Sequence, residues 1–183
     1  MISALMFSEQ TQSERYTGIP YSKLDCQAFV EEVLKDCGVR KPDGTTYNWK
    51  GSNSMWRNAL SWKGTIEECR TKYGDIPEGA WVFTVKYDGG EIDRGYHDNE
   101  GNAKHVGIYV GRDTVRDSTK TAQRNGVGYR SLDGFTHVGL AKMIDYNNQN
   151  DVLISIDTIR NSDASASQIL TALEILTNYL KGV

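Results

Sequence analysis

Cys26 follows Asp25 at the start of an apolar stripe of Phe29, Val30, Val33, Leu34 and Cys37. That spacing lines one face of a helix. Aspartate is a good N-cap, so Cys26 stands in the first helical turn. Backbone amides there lack intrahelical acceptors, and the macrodipole favours an anion. Thiolate is the reactive form of cysteine, and a helix N-terminus stabilises it. Burial is the competing reading, because cysteine is among the most buried residue types. Position alone leaves both open. Cys37, on the apolar face at the helix end, reads as a core residue. Cys69 suits burial on a short helix of its own.

His105 can supply the base that such a thiol needs. It opens the alternating run His105-Val106-Gly107-Ile108-Tyr109-Val110, which reads as a strand. Positions 105 and 107 share a face, and Gly107 leaves room beside the imidazole. A three-residue loop, Gly111 to Asp113, pairs 110 with 114 and 107 with 117. Asp117 then becomes a diagonal neighbour of His105 on one face. It is expected to accept the Nδ1 proton and leave Nε2 facing the thiol. An even-length loop turns Asp117 to the opposite face, as a surface residue near Arg116 and Lys120. His137 precedes Val138-Gly139-Leu140 and is expected to be structural or to line the cleft edge. His97 lies in a polar loop.

These residues need a scaffold. A helix is predicted over 25–37, closed by Gly38 at C′ and kept from resuming by Pro42. Residues 42–75 are less regular, with short helices expected at 53–61 and 65–73. Trp49, Trp56 and Trp62 there can form one wall of a groove or a small satellite core. Strands are expected at 80–85, 105–110 and 114–119, with another inside 136–146 and a polar loop over 95–104. Residues 152–156 suit an edge strand. A C-terminal helix carries Ile169, Leu170, Leu173, Leu176 and Leu180, a stripe for packing on the domain surface or docking to a partner. Helix, irregular segment, then meander strands give an α+β class.

Composition narrows the function. The chain has 183 residues, the span of one decorated domain. Its 21 Lys and Arg against 24 Asp and Glu give a net charge of −3, which argues against a basic nucleic-acid interface. No apolar run approaches the ~20 residues of a membrane span. Three cysteines without CxxC or His spacing suggest neither a disulfide scaffold nor a zinc site. Met1 to Phe7 lacks a basic region and does not read as a secretory signal. Action outside the cell is then expected through lysis, a phage particle or another unusual route.

Tyr21, Asp25-Cys26-Gln27-Ala28-Phe29-Val30, Gly79-Ala80-Trp81-Val82-Phe83 and His105-Val106-Gly107-Ile108-Tyr109-Val110-Gly111 together resemble the NlpC-type cell-wall cysteine peptidases. The likeness covers residues 15–146. It implies a papain-like fold, with the cysteine helix packed on an antiparallel sheet. Residues 1–150 would form this domain, with an insertion over 42–75, and residues 151–183 a C-terminal extension. Cys26 is the implied nucleophile, His105 the base, and Asp117 the third polar residue. Tyr21, Asp25 and Gln27 are expected on the substrate and oxyanion side. The implied substrate is the peptide stem of peptidoglycan, cut beside a γ-linked D-glutamate, with no metal or cofactor. The alternatives are an amidase or acyltransferase using the same dyad, and a non-catalytic phage or wall-binding module. Three features depart from the family pattern. Gln27-Ala28 replace Ser-Gly, the third residue is Asp rather than His, Asn or Gln, and the stretch from Cys26 to His105 is long.

Overall fold

A computed structural model of the chain describes residues 1–146, 159–160 and 164–181. It forms two compact units, Met1–Ile144 and Asp145–Val183. The first is mixed α+β. It runs β1 (Ile2–Ser3), α1 (Ala4–Thr11), a 3-10 turn (Glu14–Tyr16), α2 (Cys26–Asp36) and α3 (Ser52–Asn58). Next come β2 (Leu60–Thr65), α4 (Ile66–Tyr73), β3 (Trp81–Lys86), β4 (Asn102–Tyr109) and β5 (Thr114–Lys120). The chain continues through β6 (Asn125–Ser131), β7 (His137–Ala141) and β8 (Ile144–Asp145). Six strands make one antiparallel sheet in the order β2-β7-β3-β4-β5-β6.

Helix α2 forms where its stripe requires. Phe29, Val30, Val33 and Leu34 are buried, and the helix packs on β4 and β5. Val106, Ile108 and Val115 are fully buried on those strands. Asp25 caps α2 by accepting the Ala28 N–H at 2.8 Å, a bond worth about 1 kcal/mol. At the other end Gly38 N–H donates to Lys35 O and Val39 N–H to Leu34 O, both at 3.0 Å. That is a Schellman closure, and Gly38 has the positive φ of 73° it needs.

Strand β5 also anchors the segment that leads into α2. Arg116, fully buried, donates to Thr11 O at 2.8 Å and Ser13 O at 3.1 Å. Its guanidinium lies over the Tyr16 and Tyr129 rings. Ser118 donates to Leu24 O, one residue before the cap. The approach to Cys26 is therefore fixed by side chains of the strand that carries Asp117.

Several expectations need correction. Residues 42–75 hold α3 and α4 near their expected places, but β2 lies between them and forms an edge of the sheet. Its sequence, Leu60-Ser61-Trp62-Lys63-Gly64-Thr65, alternates apolar and polar over only four residues before Gly64. Pairing with β7 creates the strand. Helix α1 and strand β6 were not expected at all. Strand β4 begins at Asn102, so the polar loop is shorter than 95–104. The strand expected in 136–146 is two strands, β7 and β8.

The tryptophans do not form one wall. Trp56 is buried against Phe83 and His137, Trp49 stacks on Tyr47 and meets Trp81 edge-on, and Trp62 meets Tyr73.

The second unit contributes α5 (Ala166–Lys181), with Leu170 and Leu173 exposed and Ala172 buried. The edge strand expected at 152–156 lies outside the described residues. Among the described residues no helix is long and apolar enough to cross a membrane.

Candidate active site

Cys26 occupies the first position of α2, with 8% of its surface exposed. The Ala28 amide is taken by the Asp25 carboxylate and the Phe29 amide by Asp25 O. The helix supplies no acceptor for the amides of Cys26 and Gln27. Two side chains converge on the sulfur. The Tyr21 hydroxyl and the His105 imidazole both lie close enough to it to feel its charge. Burial pushes the Tyr21 phenol up, followed by the charges of Cys26 and Asp25 and the bond to Cys26. Tyr21 therefore stays a donor at neutral pH.

The β4–β5 hairpin has the three-residue loop. Val110 N–H donates to Thr114 O at 3.0 Å, and Tyr109 and Ile108 face Val115 and Arg116. Asp117 thus falls opposite Gly107. Its Oδ2 lies 2.6 Å from His105 Nε2. The ring is therefore reversed from expectation: Nε2 meets the carboxylate, and Nδ1 is the nitrogen left for Cys26. One extra residue of β4 stands between the partners of Thr84 and Val85, a bulge at Lys104 immediately before His105. Bulges re-aim side chains beside active sites.

Gly107 has the predicted role of making space, and the space is filled. A Cβ there would lie 2.5 Å from Val115 Cγ1, 3.1 Å from Asp117 Cβ and 3.3 Å from Phe135 Cζ. The Phe135 ring stacks on His105, with centroids 5.8 Å apart. Asp117 is fully buried and faces three cationic groups: His105, Arg124 and Arg130. The two arginines were not singled out from sequence. Only the pairing of β5 with β6 brings them to Asp117.

Burial opposes the charged form of His105. The hydrogen bonds to Asp117 and Cys26 and the charges of both outweigh it, and the imidazole pKa rises to about 9. His105 is thus protonated near neutral pH.

The remaining expected residues separate by role. The Gln27 side chain does not serve an oxyanion. Its amide nitrogen donates to Trp49 O and to Glu31 Oε1, and its oxygen accepts from Gly51 N–H. It ties the 49–51 loop to α2. The Asp25 carboxylate is occupied as the cap. His137 is buried on β7, its Nδ1 is 2.8 Å from Thr136 Oγ1, and Trp56 lies edge-on to the ring. Burial pushes its pKa down. It is a structural histidine, and Asp117 is the residue on His105. Cys69 is buried, and burial pushes the Cys37 and Cys69 thiols up to about 11.

A polar cleft of about 630 Å³ lies beside α3 and β4, and its lining does not include Tyr21, Cys26, His105 or Asp117. Gly51, Ser52 and Asn53 line one side and Asn102, Ala103 and Lys104 another. Gly51 is bonded to Gln27, and Lys104 adjoins His105.

Comparison with models of known protein families finds none that matches the chain, and comparison with curated proteins finds no match either.

Proposed function

We propose that the protein is a papain-like cysteine peptidase that hydrolyses amide bonds in peptidoglycan stem peptides. One observation carries the reading: His105 stands between the Cys26 sulfur at a capped helix start and the buried Asp117 carboxylate. Nucleophile, base and orienting group are the parts that covalent acyl transfer requires. The choice of stem peptides rests on the resemblance of the motifs around Tyr21, Cys26 and His105 to the NlpC type.

The Cys26 thiolate attacks the carbonyl carbon, and its electrons move onto the oxygen. First-turn N–H groups, for which the helix itself supplies no acceptor, and the Tyr21 hydroxyl would stabilise that oxyanion. His105 gives its Nδ1 proton to the amine nitrogen as the C–N bond breaks. A thioester on Cys26 remains. Water loses a proton to His105 and attacks the thioester. The acid leaves, and the thiolate–imidazolium pair is restored.

Digestion of defined muropeptides, with fragments weighed by mass spectrometry, tests this. The two expected fragments sum in mass to the substrate plus one water, and one carries a new amine at the cut beside D-glutamate. Intact muropeptides after prolonged incubation with folded protein would overturn the reading.

A further inference from the structure

The strongest unexplained feature is a buried carboxylate ringed by positive groups. Asp117 has no exposed surface. A buried carboxylate is costly unless paired and hydrogen-bonded. His105 alone would satisfy one oxygen. The other oxygen, Oδ1, receives Arg124 Nη2, and Arg130 Nη1 stands 3.6 Å from Oδ2.

We propose that Arg124 and Arg130 form a charge clamp on Asp117, and that Arg124 is a positioning residue that sets the orientation and charge balance of His105 through it. This rests on the peptidase reading for its purpose but not for its geometry.

The clamp is built into β5 and β6. The turn before β6 is closed by Thr121 N–H donating to Arg124 O at 2.7 Å and Arg124 N–H donating to Thr121 Oγ1 at 3.1 Å. From there the Arg124 side chain folds back over Gly128, the residue that pairs with Asp117 across the strands. A Cβ on Gly128 would lie 2.6 Å from Arg124 Nη1 and 2.8 Å from its Cδ. The missing side chain is thus the channel by which the guanidinium reaches the carboxylate. Arg124 Nη1 also donates to Tyr129 O at 3.2 Å, which fixes the fork. Arg130 lies 4.6 Å above the Phe135 ring, the same ring that stacks on His105. Asp117, Arg130, Phe135 and His105 therefore close a ring of contacts.

The electrostatic consequence has a definite sign. Around His105 stand Cys26 and Tyr21 on one side, Asp117 from β5, and Arg124 and Arg130 behind it. Thr84, its partner on β3, is uncharged, and adjacent Lys104 is paired with Asp88. Arg124 shares the Asp117 charge and repels the imidazolium. Removing the guanidinium gives His105 the full carboxylate and withdraws a like charge, so the imidazolium becomes more stable. His105 then becomes a weaker acid towards the leaving amine.

The test is an NMR titration of the imidazole carbons, with only three histidines to resolve. His105→Asn identifies the His105 signal. Arg124→Gln should move the His105 midpoint upward. Gly128→Ala, which displaces the same guanidinium without deleting it, should move it in the same direction. The double variant should shift no further than Arg124→Gln alone. An unchanged or lowered midpoint in folded Arg124→Gln or Gly128→Ala protein overturns the clamp. So does full additivity of the two shifts. The shift appearing in a protein that cleaves no muropeptide would retain the clamp and remove the peptidase reading. Cleavage without the shift would do the reverse.

Discussion

His105 Nε2 and Asp117 Oδ2 lie 2.6 Å apart across neighbouring antiparallel strands, with the carboxylate sealed from solvent. The pair fixes which ring nitrogen remains for Cys26. Asp117→Asn keeps the shape but removes the charge that Arg124 and Arg130 face. The imidazole then loses its anchor, and activity should drop by about 10²-fold, as expected for displacement of a reacting group by roughly 1 Å. Steady-state rates on a muropeptide check this. Wild-type rates in Asp117→Asn would remove the carboxylate from the site.

The pH dependence has its sign set by His105. Its pKa is raised from the ordinary 6.5 to about 9. The proton needed by the leaving amine is present below that value and is lost as pH rises through it. The kcat/KM profile should therefore decline on the alkaline side near pH 9. The same shift links to stability: its contribution is complete below the unfolded value and fades as pH rises through the folded one. Denaturant unfolding at pH 6 and at pH 10 should show less His105-dependent stability at the higher pH. Activity still climbing above pH 10 would contradict the assignment.

Gly107 is a packing constraint on the site. Ala at this position brings Cβ within 2.5 Å of Val115 Cγ1 and 3.1 Å of Asp117 Cβ. Overpacking of this kind costs about 1–3 kcal/mol. Gly107→Ala should lower stability by that amount in urea titrations and displace Asp117, with a lower kcat. Unaltered stability would show that Val115 can rotate aside.

Gln27 separates structure from chemistry. Its amide holds Trp49, Gly51 and Glu31. Gln27→Ala removes these bonds, and partners left unsatisfied cost about 1–3 kcal/mol each. The variant should be less stable while thiol alkylation at Cys26 stays at the wild-type rate. A large loss of alkylation with stability unchanged would return Gln27 to the reacting groups.

How much of this was readable in the sequence follows from where the information lies. Helix α2 was legible because cap, stripe and terminating glycine are local signals within 25–38. The register that brings Asp117 to Gly107 was legible because one loop length fixes it. The ring orientation of His105 was not, since it is a side-chain torsion set among distant neighbours, Asp117 on β5 and the Phe135 ring. Strand β2 was missed although Leu60 to Lys63 alternate, because the run is short, ends at Gly64 and finds its partner in the distant β7. Arg124 and Arg130 were hidden for the same reason: they reach Asp117 through β6, a strand with glycines at 126 and 128. Gln27 was misplaced because its side chain answers to a loop more than twenty residues away.

Competitive alkylation of the three thiols with iodoacetamide at pH 7, read by peptide mass mapping, tests Cys26 as the nucleophile most directly. Cys37 and Cys69 serve as internal controls, because burial pushes both up to about 11. The expected result is modification of Cys26 well ahead of the other two, with that lead lost in His105→Ala. Equal rates at all three thiols, or a lead that survives loss of the imidazole, would contradict a thiolate held by His105.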